Sequence, residues 1–300
     1  VPVILKENDQ AEVWLGEKMT NLLSEIDAEK LENPTIREKV SVELRRTVLK
    51  EHSIENRLRQ IREQAGLSIF RNPSVSVVVA SNRPEMTERI FNIVNGQDHK
   101  NLELVLALHG EGFEDSYPEF LKSDLPVTVL RYPKETIFGH VLSEASSAAS
   151  GEWIAKMDDD DWYGGEHISD LLLAAGYSDA DLVGKGSEFV YLAEENLTIR
   201  RDLGDSEVES RTIGGGAMLV KADVFREING WRELSRGVDV ALIDDVVSNG
   251  GRVWRTHPFG YLLRRTKNQH TWEVDDKYFL RHADQKWEGF ASELVSVIDQ

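Results

Sequence analysis

The chain has 300 residues, enough for one large domain or two modest ones with cores of their own. Hydrophobic residues make up 40% and charged residues 29%, which is ordinary for a folded protein and unlike a disordered chain. With 35 Lys and Arg against 53 Asp and Glu, the formal charge is −18. This charge disfavours nucleic acid and anionic membrane surfaces as partners.

The sequence contains no cysteine, which excludes disulfides, thiolate metal sites and cysteine nucleophiles. No apolar run approaches the roughly 18 residues that a membrane span needs, and no signal peptide is recognised. We therefore expect a cytoplasmic protein without a transmembrane segment. The first residue is Val1 rather than Met, which leaves open that the chain is a piece of a longer protein.

Residues 1–72 are predicted to form a helical segment. Apolar residues recur at helix-compatible spacings between residues 13 and 26, and Asn33 and Ser53 offer N-caps for two further helices. Residues 43–58, ELRRTVLKEHSIENRL, resemble the closing helices of bacterial GT-B glycosyltransferases. That resemblance implies the tail of an upstream domain. A helical arm or interaction module fits the same pattern.

A second domain is predicted over residues 73–300. Residues 75–80 form a β-branched run typical of a strand buried on both faces, and the runs that follow alternate with helical patterns. Such alternation implies an α/β, Rossmann-like domain with a largely parallel sheet. The chain is predicted to close with a helix over residues 278–297. The other predicted strands cover residues 102–108, 127–130, 153–157, 188–192, 197–201, 252–254 and 261–263.

Four consecutive carboxylates, Asp158 to Asp161, follow the apolar run of residues 153–157 directly. They are therefore expected at the sheet edge where that strand ends, which is where open α/β sheets bind ligands. Clustered acids need a counter-charge, and a site made only of oxygen ligands suits Mg²⁺ or Mn²⁺. An ion bound in this way can also bind a diphosphate. A solvated acidic loop is the competing interpretation.

Two stretches together carry a family resemblance. The first strand ends in Val-Ala-Ser-Asn-Arg-Pro (residues 79–84), and residues 151–163 read GEWIAKMDDDDWY. Over roughly residues 75–265 this pattern resembles glycosyltransferase family 2, which implies a GT-A fold. In that family an Asp-x-Asp motif holds the divalent ion that binds the nucleotide-sugar diphosphate. Asp158, Asp160 and Asp161 match the motif here, and Asp159 fills its variable position.

The resemblance assigns most of the candidate site. It implies that Asp160, Asp161 and His270 ligate Mn²⁺ or Mg²⁺. His270 belongs to a basic C-terminal loop, for which a solvated turn is the alternative interpretation. His109 stands where family members commonly have an Asp that reads uracil, and Ser143 where many have an Asn, so the base is left open. The nucleotide-sugar contacts implied are Ser81, Asn82, Arg83, His109, Lys156, Asp158, Asp159, Gly215, Gly216 and Arg265.

A glycine run and a later helix complete the predicted site. Gly214, Gly215 and Gly216 leave the backbone bare for close approach of a ligand, although a bulge or hairpin would also use them. The family places its carboxylate base at the start of a later helix. Asp239 is the candidate here, with a helix cap as the alternative role and Asp244 and Asp245 as rivals.

The sequence thus predicts a metal-dependent, inverting glycosyltransferase that moves a sugar, hexosyl or N-acetylhexosaminyl, from a nucleotide-diphosphate sugar to a hydroxyl acceptor. A UDP-sugar is favoured as the donor, and cell-envelope or capsule polysaccharide is the process that the resemblance suggests. Two alternatives remain. One is a catalytically silent nucleotide-sugar-binding module, because Val238 replaces the Glu that usually precedes the base. The other is a sugar-phosphate nucleotidyltransferase, although its glycine-rich signature is missing.

Overall fold

The structure, a computed structural model, describes residues 29–67, 72–113, 124–266 and 275–296. The chain divides into two compact units, one that contains residues 1–72 and one that comprises Pro73–Val295. The helix predicted between residues 13 and 26 lies outside the described residues. No described helix is both long and apolar enough to cross a membrane.

The first unit contains two helices, α1 (Pro34–His52) and α2 (Ile54–Gln64). The Asn33 side chain accepts hydrogen bonds from two backbone N–H groups of the first turn of α1, at 2.9 and 3.3 Å. Ser53 caps α2 in the same way, at 3.1 Å. Both helix starts predicted from the sequence are confirmed, because an N-cap side chain satisfies N–H groups that the helix leaves without partners.

The second unit has an α/β architecture in which strands and helices alternate along the first half, as predicted. Its strands are β1 (Val75–Ser81), β2 (Leu102–His109), β3 (Val127–Tyr132), β4 (Trp153–Met157), β5 (Trp162–Tyr163), β6 (Leu182–Lys185), β7 (Phe189–Leu192), β8 (Leu197–Arg201), β9 (Val208–Glu209), β10 (Ala217–Lys221), β11 (Val253–Thr256), β12 (Tyr261–Arg265) and β13 (Ala283–Glu288). Its helices are α3 (Thr87–Asn95), α4 (Phe138–Ser147), α5 (His167–Ser178), α6 (Ala222–Glu227), α7 (Val238–Ser248), α8 (Asp276–Arg281) and α9 (Ser292–Val295).

The large sheet has the strand order β3-β2-β1-β4-β10-β6-β11-β9, and a smaller sheet has the order β13-β8-β7-β12-β5. Strands β1 to β4 are parallel, as predicted. Strand β10 runs antiparallel to both of its neighbours, β4 and β6. The predicted pairing of residues 188–192 with 197–201 is confirmed as the antiparallel pair of β7 and β8.

Alternate side chains of the central strands enter two separate apolar cores. Val77 and Val79 of β1 belong to the core that includes residues of α3 and α5. Val78, between them, belongs to the core that includes residues of α4 and α7. Because successive side chains of a strand point to opposite faces, a run of β-branched residues fills both cores at once.

This topology gathers polar residues at one edge of the large sheet. Strands β1, β2 and β4 are parallel, so their carboxyl ends, followed by Asn82, Gly110 and Asp158, meet there. Because β10 is antiparallel to β4, with Ala217 opposite Met157, the amino end of β10 and the preceding glycines lie at the same edge. The antiparallel strand therefore brings the glycine loop to the acidic segment.

The helix predicted over residues 278–297 is wrong. Helix α8 ends at Arg281, strand β13 follows, and α9 covers only four residues. Strand β13 pairs antiparallel with β8, and its residues alternate between half-buried and exposed. The pairing partner lies about 85 residues away in the sequence, so a local helical pattern was overridden by a long-range ladder.

Candidate functional site

The acidic segment, defined here as Asp158 to Asp161, is held by cations and hydroxyl groups from four other parts of the chain. Asp159 accepts a forked pair of hydrogen bonds from Arg83, one of them from Nε at 3.0 Å, and a further one from the Ser81 hydroxyl. Arg83 Nη2 also lies 3.0 Å from Asp160 Oδ2. Ser81, the last residue of β1, and Arg83, two residues beyond it, therefore contact the acidic segment directly.

A second arginine supports the backbone of the acidic segment. Arg89 of α3 donates from Nη1 to the carbonyl oxygen of Asp159 and from Nη2 to that of Asp161, each at 2.5 Å. These two N–H groups thereby satisfy two backbone carbonyl oxygens that follow the end of β4. Sequence reasoning missed Arg89, because its partners Asp159 and Asp161 lie 70 and 72 residues away along the chain.

Lys156 connects the acidic segment to the candidate base. Its side chain is 4% exposed, and Nζ lies 2.7 Å from Asp158 Oδ1, 2.8 Å from the Gly215 carbonyl oxygen and 3.4 Å from Asp239 Oδ1. A buried ammonium group needs such partners. The charges of Asp158 and Asp239 outweigh burial and raise the pKa of Lys156 above its ordinary value, so the group is cationic.

Asp239 is the second residue of α7, and its side chain does not cap that helix. The N-cap is Gly237, with φ 71°, and no side chain accepts a capping hydrogen bond there. The Asp239 carboxylate instead faces Lys156, with 32% of its side chain exposed. Burial raises the pKa of Asp239, and the charge of Lys156 opposes that rise. The rivals differ: Asp244 pairs with Arg211 and Asp245 with Arg232, both arginines being largely exposed.

In the glycine loop, residues 214–216, carboxylates lie against the backbone of Gly215 and Gly216. A Cβ at Gly215 would stand 2.1 Å from Asp239 Oδ2, and one at Gly216 would stand 2.7 Å from Asp158 Oδ2. Neither distance is compatible with a side chain. The bare backbone that the sequence suggested for a ligand is approached by the protein's own acids, which are packed side by side there.

Asp161 is anchored from the smaller sheet. Its Oδ2 accepts a hydrogen bond from the Tyr261 hydroxyl at 2.8 Å, and its Oδ1 accepts one from the Arg264 backbone N–H at 2.9 Å. Burial, with the charges of Asp158 and Asp160, raises the pKa of Asp161 well above its ordinary value. Burial, with Asp161, also raises the pKa of Tyr261 well above its ordinary value, so its hydroxyl remains a donor.

Tyr163 connects the acidic segment to the glycine loop. Its hydroxyl accepts from the Asp158 backbone N–H at 2.7 Å and donates to the Gly216 carbonyl oxygen at 2.8 Å. Strand β5 pairs with β12, so Tyr163 stands opposite Tyr261. These two tyrosines were not predicted from the sequence. Tyr163 lies two residues beyond the acids, but Tyr261 reaches Asp161 across 100 residues of sequence, so no local pattern connects the two tyrosines to one site.

The remaining predicted residues are less closely connected to the acids. Asn82 is exposed, and His109 is half-buried at the end of β2, with a buried Nε2 that has no hydrogen-bond partner among the described residues. Arg265 is 7% exposed and its guanidinium lies over the Phe279 ring, 5.3 Å from the centroid. His270 lies outside the described residues.

The acidic segment fits a divalent ion in donor chemistry. Asp158 to Asp161 supply carboxylate oxygens, which are the ligands that Mg²⁺ and Mn²⁺ prefer. Burial raises the pKa of Asp160, the charge of Arg83 opposes that rise, and the neighbouring acids add to it. Within residues 29–67, 72–113, 124–266 and 275–296, no three His, Asp or Glu side chains converge as an ion site. The carboxylates are directed instead at Arg83, Lys156 and Tyr261.

Part of the chain matches the model of a known protein family. Residues 76–204 match the model of glycosyl transferase family 2. Among curated proteins, no sequence matches the chain.

Solved structures show the same fold. A mannosyltransferase from Pyrobaculum calidifontis, in complex with GDP-Man and Mn²⁺, is 14% identical with a TM-score of 0.53, over 67% of this chain and 59% of that chain. S. aureus TarS 1-349 in complex with UDP-GlcNAc is 17% identical with a TM-score of 0.55, over 69% and 64%. The same protein in complex with UDP is 15% identical with a TM-score of 0.54, over 64% of this chain and 61% of that chain.

The larger unit therefore has the GT-A fold. The stretch that matches the model of glycosyl transferase family 2, residues 76–204, contains most of β1, the acidic segment, β7 and β8. It spans about three fifths of the length of the first solved structure that it resembles, 59% of that chain.

Proposed function

We propose that the protein is a glycosyltransferase that moves a sugar from a nucleotide-diphosphate sugar to a hydroxyl group of an acceptor, with inversion at the anomeric carbon. One observation carries the proposal: the Asp239 carboxylate stands against the glycine loop, ion-paired to Lys156, beside the acidic segment of a family 2 domain. A carboxylate held in this way can accept a proton next to the site where a donor binds.

In the proposed reaction, Asp239 takes the proton of the acceptor hydroxyl as its oxygen bonds to the anomeric carbon. The bond from that carbon to the diphosphate breaks, and the nucleoside diphosphate leaves with the electron pair. Attack from the face opposite the leaving group inverts the configuration. Asp239 is suited to this role because part of its carboxylate is exposed while Lys156 fixes its position.

Donor binding is assigned to the edge where β1, β2 and β4 end. Arg83 and Lys156 pair with carboxylates of the acidic segment, and His109 stands at the end of β2, next to β1. We propose a UDP-sugar donor, supported by the structure similar to this one that holds UDP-GlcNAc. A similar structure that holds GDP-Man makes a guanine nucleotide the first competitor.

A divalent ion is proposed at Asp160 and Asp161, with His270 completing the set. When bound, such an ion supplies positive charge to the diphosphate as it leaves. The proposal is supported by the carboxylate donors of the acidic segment and by the Mn²⁺ in a similar structure. The protein's own part is to hold the segment through Arg89, Tyr163 and Tyr261 before any ligand arrives.

The acceptor is proposed to be a saccharide or another hydroxyl compound of envelope or capsule polysaccharide synthesis, on the strength of the family resemblance. A cytoplasmic location agrees with the lack of cysteine.

Thermal unfolding against a panel of UDP-sugars and GDP-mannose, with Mn²⁺ or EDTA, tests the donor assignment. Selective binding to the folded state raises the unfolding temperature. We expect stabilisation by one nucleotide sugar above its free nucleotide, and more of it with Mn²⁺. Equal unfolding temperatures with every nucleotide sugar and with none would contradict the proposed function.

A further inference from the structure

Arg83 occupies the acidic segment in the manner of a bound cation. Its Nη2 lies 3.0 Å from Asp160 Oδ2 and also contacts Asp159 Oδ1, so one nitrogen spans two carboxylates. Nε lies 3.0 Å from Asp159 Oδ2. Asp159 and Asp160 are only 5% and 7% exposed. Carboxylates this far from water are costly to keep ionised without a nearby positive charge, and Arg83 supplies it.

Arg83 neutralises the acids, but its own guanidinium is not fully hydrogen-bonded at this position. Arg83 Nη1 is buried and has no hydrogen-bond partner among the described residues. An arginine placed only for stability would use its whole fork, because a buried donor without an acceptor is destabilising. The carboxylates thus gain a counter-charge, while one donor of the guanidinium lacks an acceptor in the described part of the chain. This imbalance favours replacement of Arg83 by another cation at the carboxylates.

The neighbouring cation contrasts with Arg83. Lys156 Nζ has three oxygen partners, from Asp158, Gly215 and Asp239, and its side chain is 4% exposed. Arg83 has a side chain that is 16% exposed and follows the end of a strand rather than lying within one. Of these two cations, Arg83 is the one that can leave the acids without disrupting the sheet.

We propose that Arg83, which pairs with Asp159 and Asp160, is an internal counter-cation that competes with a divalent ion for Asp160, so that metal binding displaces its guanidinium. The inference rests on the metal site of the proposed function. It explains why the described carboxylates do not converge around an ion position: their oxygens are turned to a cation of the protein. Once released, the guanidinium is free to meet an anionic ligand such as a diphosphate.

Calorimetric titration of the full chain with Mn²⁺, in the absence of nucleotide, tests this competition. Arg83→Gln removes the competing charge, so we expect it to bind Mn²⁺ about tenfold more tightly than the parent, within the usual range of coupling between two ligands. Arg83→Lys keeps the charge but cannot span both carboxylates, and its affinity should fall between the two. Arg232→Gln, which removes an exposed ion pair with Asp245, is the matched control and should bind as the parent does.

Equal or weaker Mn²⁺ binding by both Arg83 variants would overturn the inference, and so would failure of the parent and both variants to bind the ion. If Arg83→Gln does not fold, Arg83→Lys alone must bind more tightly than the parent. Because no nucleotide is present, the result is independent of sugar transfer. Failure of the proposed function would appear separately, as lack of donor binding or of transfer.

Discussion

Lys156 lies beside the candidate base and favours its ionised form. Burial raises the pKa of Asp239, and the ammonium group 3.4 Å away opposes that rise. In Lys156→Gln the opposing charge is gone, so the pKa of Asp239 should rise further. A general base works only when it is deprotonated, so the acid limb of the rate against pH should move to higher pH.

The rate of sugar transfer between about pH 5 and pH 9 measures this shift. Lys221→Gln is the control, because it removes a half-exposed pair with Asp181 at 3.0 Å, away from the acids. A limb that stays in place, or that moves to lower pH, would show that Lys156 does not act on the base.

Arg89 should matter for the acidic segment although it is no ligand. Arg89→Met removes two hydrogen bonds to carbonyl oxygens at 2.5 Å, and we expect a loss of about 2–4 kcal/mol in the free energy of unfolding. Chemical denaturation measures it, with Arg232→Met as the control. Parental stability of the Arg89 variant would mean that water replaces the guanidinium without cost.

Some residues of the candidate site could be predicted from the sequence. Others could not, because they reach the site through contacts between parts of the chain that are far apart in sequence. Asp239 was a candidate because the family resemblance places a carboxylate base at the start of a later helix, and in the structure its carboxylate faces Lys156. Arg89 meets Asp159 across 70 residues of sequence, and Tyr261 meets Asp161 across 100. Neither distance leaves a periodic signal that sequence reasoning can read.

At the scale of elements, the glycine loop before β10 is the most constrained part of the site. A Cβ on Gly215 would lie 2.1 Å from Asp239 Oδ2, so Gly215→Ala must push the carboxylate aside. We expect turnover to fall by about 100-fold or more, since small displacements of reacting groups have effects of that size. Donor affinity should change far less.

Gly176→Ala provides the matched control. Gly176 lies in α5, and a Cβ there would meet no atom within 4 Å. That substitution should leave transfer unchanged and leave stability equal or slightly raised, because alanine favours a helix. Equal turnover for the two alanine variants would contradict the packing of Asp239 on Gly215.

The elements themselves were predictable to different degrees. The β-branched run of β1 identified a buried strand, because residues for two cores occur in succession. Strand β13 was mistaken for helix because its partner, β8, is remote in sequence. The antiparallel direction of β10, which brings the glycine loop to the acids, also has no local signal.

For the whole molecule, the two units make a truncation informative. The described candidate site residues lie in the unit Pro73–Val295, so a chain that begins at Asn72 should fold and retain donor affinity. Circular dichroism and donor calorimetry on both lengths test this. A truncated chain that is folded yet fails to bind the donor would show that residues 1–71 complete the site.

The central claim is that Asp239 is the base of a sugar transfer, and turnover of Asp239→Asn tests it most directly. The amide keeps the shape but cannot take a proton, so donor affinity should persist while turnover falls by roughly 10²–10⁴-fold. Asp244→Asn, whose parent residue pairs with Arg211 on the surface, should retain turnover. Near-parental transfer by Asp239→Asn, on a preparation that binds donor normally, would contradict the account.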